Sequence, residues 1–533
     1  MPAPSARESA FNGSGHIQLT LSLHKAARER PTAMACVYGP LRTDHRTFLE
    51  QVARLAGALR VSGVEPGDRV GLLALNSDRY LLCLYAILWA GGVINPINTR
   101  WSLSEMAYSL DDSETGVLFV DDSFAALVPL LRERCTHLRY VLSCAESDSP
   151  DGCPTFSQLL AYAPIDDVGR AGDDLAALLY TGGTTGAPKG VMLSHSNLLG
   201  NALSTLAAAP RYPIDKVLQV APLFHVGGLA LVLQAALRGA CHVIHGQFDP
   251  TAILRSLVDE RIGETFLVPT MLQRLLDAPE FTSQDLSALR TIVYGAAPMA
   301  PALLERAKAV LPRVAFIQVY GMTELAPVVA ALPAGPFGVE RGEEQCPGSV
   351  GRPAPTCEVR IVDSAGVELP VGQCGEIIVR GPGVMQGYWK LPRETAEVLR
   401  DGWLHSGDGG FMDTNGVLHL ADRIKDMIVS GGENIWSVEV EGALYQHPAV
   451  AQCAVIGVPH AEWGEAVHAV VVLHAGEAPD AAELIRHCRD RLAGYKCPRS
   501  IELREELPIS AAGKILKYQL REAYLSRSME LSG

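Results

Sequence analysis

The sequence predicts an α/β protein: a large N-terminal body of two doubly wound sheets plus a small β-rich subdomain, then a small α+β C-terminal domain. Three observations predict it. Short β-rich runs alternate with helical patterns through the first three hundred residues, as expected of parallel strands joined by crossover helices. Near residue 345 the pattern changes to short strands separated by Gly-rich turns, and after Asp422 to a compact unit mixing strands with an amphipathic helix. The length, 533 residues, corresponds to three or four domains or subdomains at about 150 residues each.

In chain order, Val70–Leu75 and Gly116–Val120 read as strands ending in Asn, Asp or Ser, with helices over Phe48–Val61 and Ser104–Leu110. The apolar run Tyr80–Ile94 stops at Asn95-Pro96, short of the ~20 residues that span a bilayer. Leu175–Tyr180, Val217–Ala221, Thr265–Val268 and Thr291–Tyr294 are expected to form the second doubly wound sheet. Glu358–Val362, Glu376–Val379 and Val417–Leu420 make up the β-rich subdomain. Beyond Asp422, Ala451–Ile456 and Val467–Leu473 read as strands. Asp480 and Glu483 form a capping-box pattern ahead of Leu484, Ile485, Cys488 and Leu492, with Gly494 as the helix stop.

A hydrophobic content of 48% excludes a mostly disordered chain. Lys and Arg total 45 against 59 Asp and Glu, a net charge of −14, which argues against broad electrostatic capture of nucleic acid or an anionic membrane. Anionic ligands must therefore be held by local groups. The 12 cysteines are dispersed, without CxxC or zinc spacing, and read as buried free thiols in a reducing compartment. The N-terminal stretch has no secretory or transit pattern and the chain ends Leu531-Ser532-Gly533; a cytoplasmic location is expected.

Tyr180-Thr-Gly-Gly-Thr-Thr-Gly-Ala-Pro-Lys-Gly190 is the most informative segment. It follows the apolar strand Leu175–Leu179. Gly182, Gly183 and Gly186 let the backbone approach a ligand, Thr181, Thr184 and Thr185 add hydroxyl donors, and Lys189 adds a cation. Ala187-Pro188 separates Gly186 from Lys189, so this is not a Walker loop, and Val191–Leu193 returns as a strand. An ordinary Gly-rich turn is the plain alternative, but the Thr and Lys among the glycines favour a polyphosphate cradle.

Thr181–Gly190 resembles the phosphate loop of the adenylate-forming enzymes, the superfamily of acyl-CoA synthetases, peptide-synthetase adenylation domains and firefly luciferase. Further motifs follow in the family's order over nearly the whole chain. Gly295, Ala296, Ala297 and Pro298 resemble the adenine-binding turn. Tyr320-Gly-Met-Thr-Glu324 resembles the signature in which Tyr320 packs on adenine, Thr323 contacts the α-phosphate and Glu324 helps hold Mg²⁺. Trp403-Leu-His-Ser-Gly-Asp408 carries Ser406 where Thr is usual; the resemblance gives Asp408 and Arg423 to the ribose. Lys425 stands at the hinge position. Lys514, after Pro508 and beside Gly513, aligns with the lysine that reaches the carboxylate and α-phosphate during adenylation. The implied catalytic groups are thus Lys514, Glu324, Thr323 and Lys189.

The resemblance implies two half-reactions at one site: a carboxylic acid and ATP give acyl-AMP and pyrophosphate, then a thiol displaces AMP. It implies an N-terminal AMP-binding domain over residues 16–422 and a mobile C-terminal domain over 426–533, with the hinge near 423–425. Rotation would bring Gly431 and Gly432 to the thiol tunnel. Trp463, Tyr495, Lys496 and Arg499 resemble CoA-contacting segments, with Cys497 where some members carry a base, so CoA is favoured over a carrier protein. ATP, Mg²⁺ and CoA are the implied cofactors; a homodimer is left open. His225, Val226, Gly227, Gly228, Phe266, Val319, Gly321 and Ala326 fall at acyl-pocket positions, with Ala296 beside them. They are mostly apolar or small, favouring a hydrophobic monocarboxylate. Gly227 and Gly228 are read as leaving room for an elongated tunnel, which leans toward medium- or long-chain fatty acids. Benzoate- or cinnamate-type acids and acyl-AMP loading of a carrier protein are the alternatives.

Overall fold

The structure is a computed structural model that describes residues 17–145, 152–182, 187–209, 211–297, 299–334, 348–474, 476–508 and 515–532. Three sheets organise it, with seven, 14 and five strands. In the seven-stranded sheet, Arg69–Leu73 has Val93–Pro96 and Val117–Val120 parallel on either side. These strands form because their residues are buried and mostly β-branched or aliphatic.

Leu175–Thr181 departs from the expectation. It belongs to this first sheet, parallel to Val93–Pro96 through the pair Ile94↔Ala177, and turns back as a hairpin with Lys189–Ser194. The two-residue strand Gly387–Tyr388 adds to the hairpin's outer edge. The second sheet holds parallel strands Lys216–Gln219, Cys241–Ile244, Glu264–Leu267, Thr291–Gly295 and Ala315–Gly321. It also takes Met34–Tyr38 from the start of the chain, parallel to Cys241–Ile244. The β-rich segment is not hydrogen-bonded apart: Ser349–Pro353 pairs with Val328–Ala334 on one side and Leu418–Arg423 on the other, making one continuous sheet.

Helices fill the space between the two large sheets. Asp78–Trp89 is buried from Tyr80 through Trp89, as an apolar helix between layers must be. It shares one core with His45–Val61, His195–Ala208 and Val226–Leu237. Ser194 caps His195–Ala208 by accepting from the Asn197 amide, and Asn197 reciprocates.

The C-terminal unit pairs Val450–His460 with Gly464–Leu473 and packs Ser437–Leu444 and Ala481–Arg489 over them. Asp480 caps the second helix as expected, but that helix ends at Arg489, short of Gly494. The 11 described cysteines are all free, and only Cys357 and Cys374 are not buried. No described helix is long and apolar enough to cross a membrane.

Two buried imidazoles set an acid limit. Burial holds His195 down at about 4 and His242 at about 3, against ~6.5 for a free side chain. Between those values the unfolded chain binds protons that the folded chain does not, so stability falls as pH drops through the window and levels off below it. The melting temperature is expected to be flat above about pH 7 and to fall steadily toward about pH 4. Equal melting temperatures at neutral pH and at about pH 5 would contradict this reading.

Candidate active site

The chemistry-bearing segments meet where strands of both large sheets end. Thr181 and Lys189 face each other at the mouth of the hairpin. Gly182 is exposed, and a Cβ there would meet nothing within 4 Å. Gly183, Thr184, Thr185 and Gly186 lie outside the described residues. A Cβ on Gly190 would come within 3.0 Å of the Tyr180 ring, so glycine permits the close packing at the hairpin base. The Tyr180 hydroxyl donates to Asp112 (2.5 Å), whose backbone carbonyl accepts from the Trp389 indole (3.0 Å).

Strand Thr291–Gly295 brings Gly295 against its neighbour: a Cβ there would sit 2.4 Å from the Val319 carbonyl oxygen. Ala296 follows, exposed and at φ 66°, a left-handed conformation that costs a non-glycine residue energy and clusters at functional turns. Ala297 is half-buried, and Pro298 lies outside the described residues.

Strand Ala315–Gly321 delivers Tyr320, and a single turn over Thr323–Leu325 presents Thr323 and Glu324. The Tyr320 hydroxyl donates to Asp408 Oδ2 (2.7 Å) while Arg423 Nε contacts Asp408 Oδ1 (2.7 Å). Asp408 and Arg423 are register partners on adjacent strands, which explains their alignment across fifteen residues of sequence. Burial and then the Asp408 carboxylate push the Tyr320 phenol well above its usual range, so it stays a donor. The Ser406 hydroxyl donates to the Ile377 carbonyl (2.6 Å) and accepts from the Asp408 amide (3.0 Å). The Ser-for-Thr departure therefore keeps the hydroxyl that fixes Asp408. Glu376 adds to the support, accepting from the Gly407 amide (3.1 Å) and contacting His405 (2.7 Å).

Glu324 is 8% exposed and accepts from the Tyr388 hydroxyl through Oε1 (2.9 Å). The Lys189 ammonium lies over the same tyrosine ring, 5.0 Å from its centroid. Asn201, buried on helix His195–Ala208, clamps the turn from beneath. Its amide nitrogen donates to the Leu325 (2.9 Å) and Val328 (2.7 Å) carbonyls, and its oxygen accepts from the Val328 amide (3.1 Å).

On the acyl side, His225 is the residue before helix Val226–Leu237, its ring centroid 4.5 Å from that of Phe224. Two expectations change here. A Cβ on Gly228 would fall 2.3 Å from the Pro222 carbonyl oxygen, so this glycine serves backbone packing and opens no tunnel. A Cβ on Gly227 would touch the Phe266 ring at 3.6 Å; the space is real but the ring closes it. Ala326, at φ 65°, is buried in the principal core, and Gly321 is demanded by the Pro327 carbonyl, 1.7 Å from its would-be Cβ. Val319 is half-buried and packs with Phe266 in one apolar layer.

In the C-terminal unit, Lys425 lies in the short turn Ile424–Asp426. Gly431 and Gly432 form a left-handed turn at φ 60° and 86°, tied to Trp463 by the Gly431 amide (2.9 Å). Trp463 stacks on His460 (4.2 Å between centroids), and the Arg499 guanidinium lies 4.6 Å from its ring centroid. Lys496, in the segment resembling CoA-contacting ones, is held by both oxygens of Glu439 (2.7 and 2.8 Å), and Tyr495 is exposed. Lys514 lies outside the described residues.

Residues 23–389 match the family described as AMP-binding enzyme, and residues 439–514 match the AMP-binding enzyme C-terminal domain. The chain belongs to this family. It is a member of the adenylate-forming superfamily and an AMP-forming acyl-CoA ligase, an acid–thiol ligase whose co-substrates are ATP and CoA. A feruloyl-CoA synthase of Amycolatopsis sp is 42% identical over 502 residues, 94% of this chain and 98% of that protein. A long-chain-fatty-acid–CoA ligase of Bacillus subtilis is 35% identical over 93% of this chain and 92% of its own length. The anthranilate CoA ligase AuaEII, solved with anthranoyl-AMP, superposes with TM-score 0.86 at 27% identity, covering 95% of this chain and 97% of that one.

Sequence reasoning on this AMP-forming ligase missed Tyr388, Asn201, Glu376 and Asp112. Their partners are distant in sequence, and only the Gly387-Tyr388-Trp389 run after a Gly-rich stretch offered a local signal.

Proposed function

We propose that the enzyme adenylates an aromatic monocarboxylic acid of the hydroxycinnamate kind and transfers the acyl group to CoA. The observation that carries this reading is the seat of Phe266 against Gly227, with Gly228 closed by backbone. A pocket floored by a ring and lined by small residues suits a flat, short acid better than an extended chain. The similarity to a feruloyl-CoA synthase supports it. A fatty-acid reading is favoured by the apolar layer continuing behind Phe266 through Val217, Leu231, Ala235, Val293 and Ile317, and by the Bacillus relative.

In this reading residues 16–422 form the nucleotide body and 426–533 the mobile domain, pivoting near 423–425 about Lys425. Thr181 through Gly186 and Lys189 hold the β- and γ-phosphates. Gly295, Ala296, Ala297, Pro298 and Tyr320 seat the adenine, Asp408 and Arg423 hold the ribose hydroxyls, and Thr323 meets the α-phosphate. Glu324 fits a Mg²⁺ site: it is a buried carboxylate, no lysine or arginine pairs with it among the described residues, and no described cluster of three or more His, Cys, Asp or Glu forms a cage. A single carboxylate plus substrate phosphates is how Mg²⁺ is commonly held, and the ion neutralises phosphate charge when bound.

Lys514 would approach from the C-terminal domain while the acid's carboxylate oxygen attacks the α-phosphorus and pyrophosphate leaves. Rotation then replaces it by Gly431-Gly432, Trp463 and Arg499, between which the CoA sulfur reaches the acyl carbonyl carbon and displaces AMP.

The test is a panel of acids assayed with ATP and CoA for thioester and AMP. Ferulate or cinnamate is expected to exceed dodecanoate and palmitate in kcat/KM by about a hundredfold, within what shape selection in one pocket supplies. The reverse order would overturn the aromatic reading in favour of the fatty-acid one.

A further inference from the structure

Tyr388 sits on neither of the long motif segments, yet it joins them. Its backbone is fixed twice: as a strand partner of Val191 beside the phosphate hairpin, and by its amide donating to Thr395 Oγ1 (2.9 Å). Its ring lies beneath the Lys189 ammonium, 5.0 Å from centroid to nitrogen, a cation–π distance. Its hydroxyl reaches across to Glu324 Oε1 at 2.9 Å, in a contact where both side chains are buried. One side chain therefore spans a cation from the first sheet and a carboxylate from the second, 199 and 64 residues away in sequence.

We propose that Tyr388 is a positioning residue for adenylation: its hydroxyl fixes the orientation of the Glu324 carboxylate toward a divalent cation, while its ring holds Lys189 over the phosphates. The inference rests on the reading of Glu324 and Lys189 given above. Physically, a carboxylate with a single hydrogen bond from a rigid donor keeps its remaining acceptor capacity in one direction, and a cation needs that direction fixed. The ring contact adds a second function, because an ammonium on a flexible stem otherwise samples many rotamers.

The experiment measures ATP, AMP and pyrophosphate dissociation constants on the full-length protein by calorimetry, with Mg²⁺ and with chelator. In the wild type, Mg²⁺ is expected to tighten ATP binding. Tyr388→Phe keeps the ring and removes the hydroxyl; it is expected to lose most of that Mg²⁺-dependent gain, about three- to tenfold, the net scale of a typical hydrogen bond. Its AMP and pyrophosphate affinities should stay unchanged. Tyr388→Leu removes the ring as well and is expected to weaken pyrophosphate binding, which Tyr388→Phe leaves intact. Glu324→Gln separates the two layers of inference. If it abolishes the Mg²⁺ gain and Tyr388→Phe retains it, the role of Tyr388 is overturned while that of Glu324 stands. If Glu324→Gln itself retains the gain, the metal reading of Glu324 fails and the positioning role falls with it. A uniform loss of AMP and ATP affinity in Tyr388→Phe would mark a merely structural contact and overturn the proposal.

Discussion

Asp408→Ala is expected to lower kcat/KM for ATP by about two orders of magnitude, the scale of losing charge-assisted hydrogen bonds to the bound ribose. Asp408 is the common acceptor of the Tyr320 hydroxyl and the Arg423 guanidinium. Without it, a phenol that burial keeps protonated has lost its acceptor and Arg423 loses its carboxylate, while in the proposed mechanism both ribose contacts are lost. Asp408→Asn sharpens the result. It keeps an oxygen for Tyr320 but removes the charge facing Arg423, so an intermediate loss is expected. Thermal denaturation beside the ATP kinetics checks that both variants fold; wild-type ATP kinetics in Asp408→Ala would remove Asp408 from the site.

Gly321→Ala is expected to be the most damaging single-methyl change in the site. Its Cβ would sit 1.7 Å from the Pro327 carbonyl oxygen and 3.2 Å from Val328 Cα. Backbone on the far side of the Thr323–Leu325 turn must therefore move, and Asn201 holds that backbone at Leu325 and Val328. Overpacking against backbone of this kind costs about 3 kcal/mol and displaces Glu324. The expected outcome is a lowered melting temperature with adenylation lost. Gly227→Ala is the matched control, since its Cβ would meet only the Phe266 ring at 3.6 Å, an ordinary contact. It is expected to fold normally and to change which acids are accepted. Equal melting temperatures for wild type and Gly321→Ala would show that the turn yields without cost.

Much of this was legible in the sequence because the chemistry-bearing residues are contiguous. Thr181–Gly190, Tyr320–Glu324 and the stretch ending at Asp408 each carry their glycines, hydroxyls and charges within a few residues. What was not legible depends on partners set by tertiary packing. The placement of Leu175–Thr181 in the first sheet rests on one long-range pair, Ile94↔Ala177, which no local periodicity encodes. Gly228 reads as open space in sequence, and only the Pro222 carbonyl shows it to be a packing requirement. The hold of Glu439 on Lys496 spans 57 residues of sequence, with no local pattern to announce it. Tyr388 and Asn201 carry no motif of their own; both matter through the Thr323–Leu325 turn that they touch from opposite elements.

In the proposed mechanism one site makes an acyl adenylate and then a thioester. The most direct measurement follows the products of a single incubation of the purified protein with Mg²⁺, ATP and ferulate, to which CoA is added after acyl-AMP has formed. Acyl-AMP and pyrophosphate are expected in equal amounts before CoA, then conversion of that acyl-AMP to feruloyl-CoA with one AMP released per thioester. Formation of ADP and phosphate, or an acyl-AMP that persists in the presence of CoA, would contradict that mechanism.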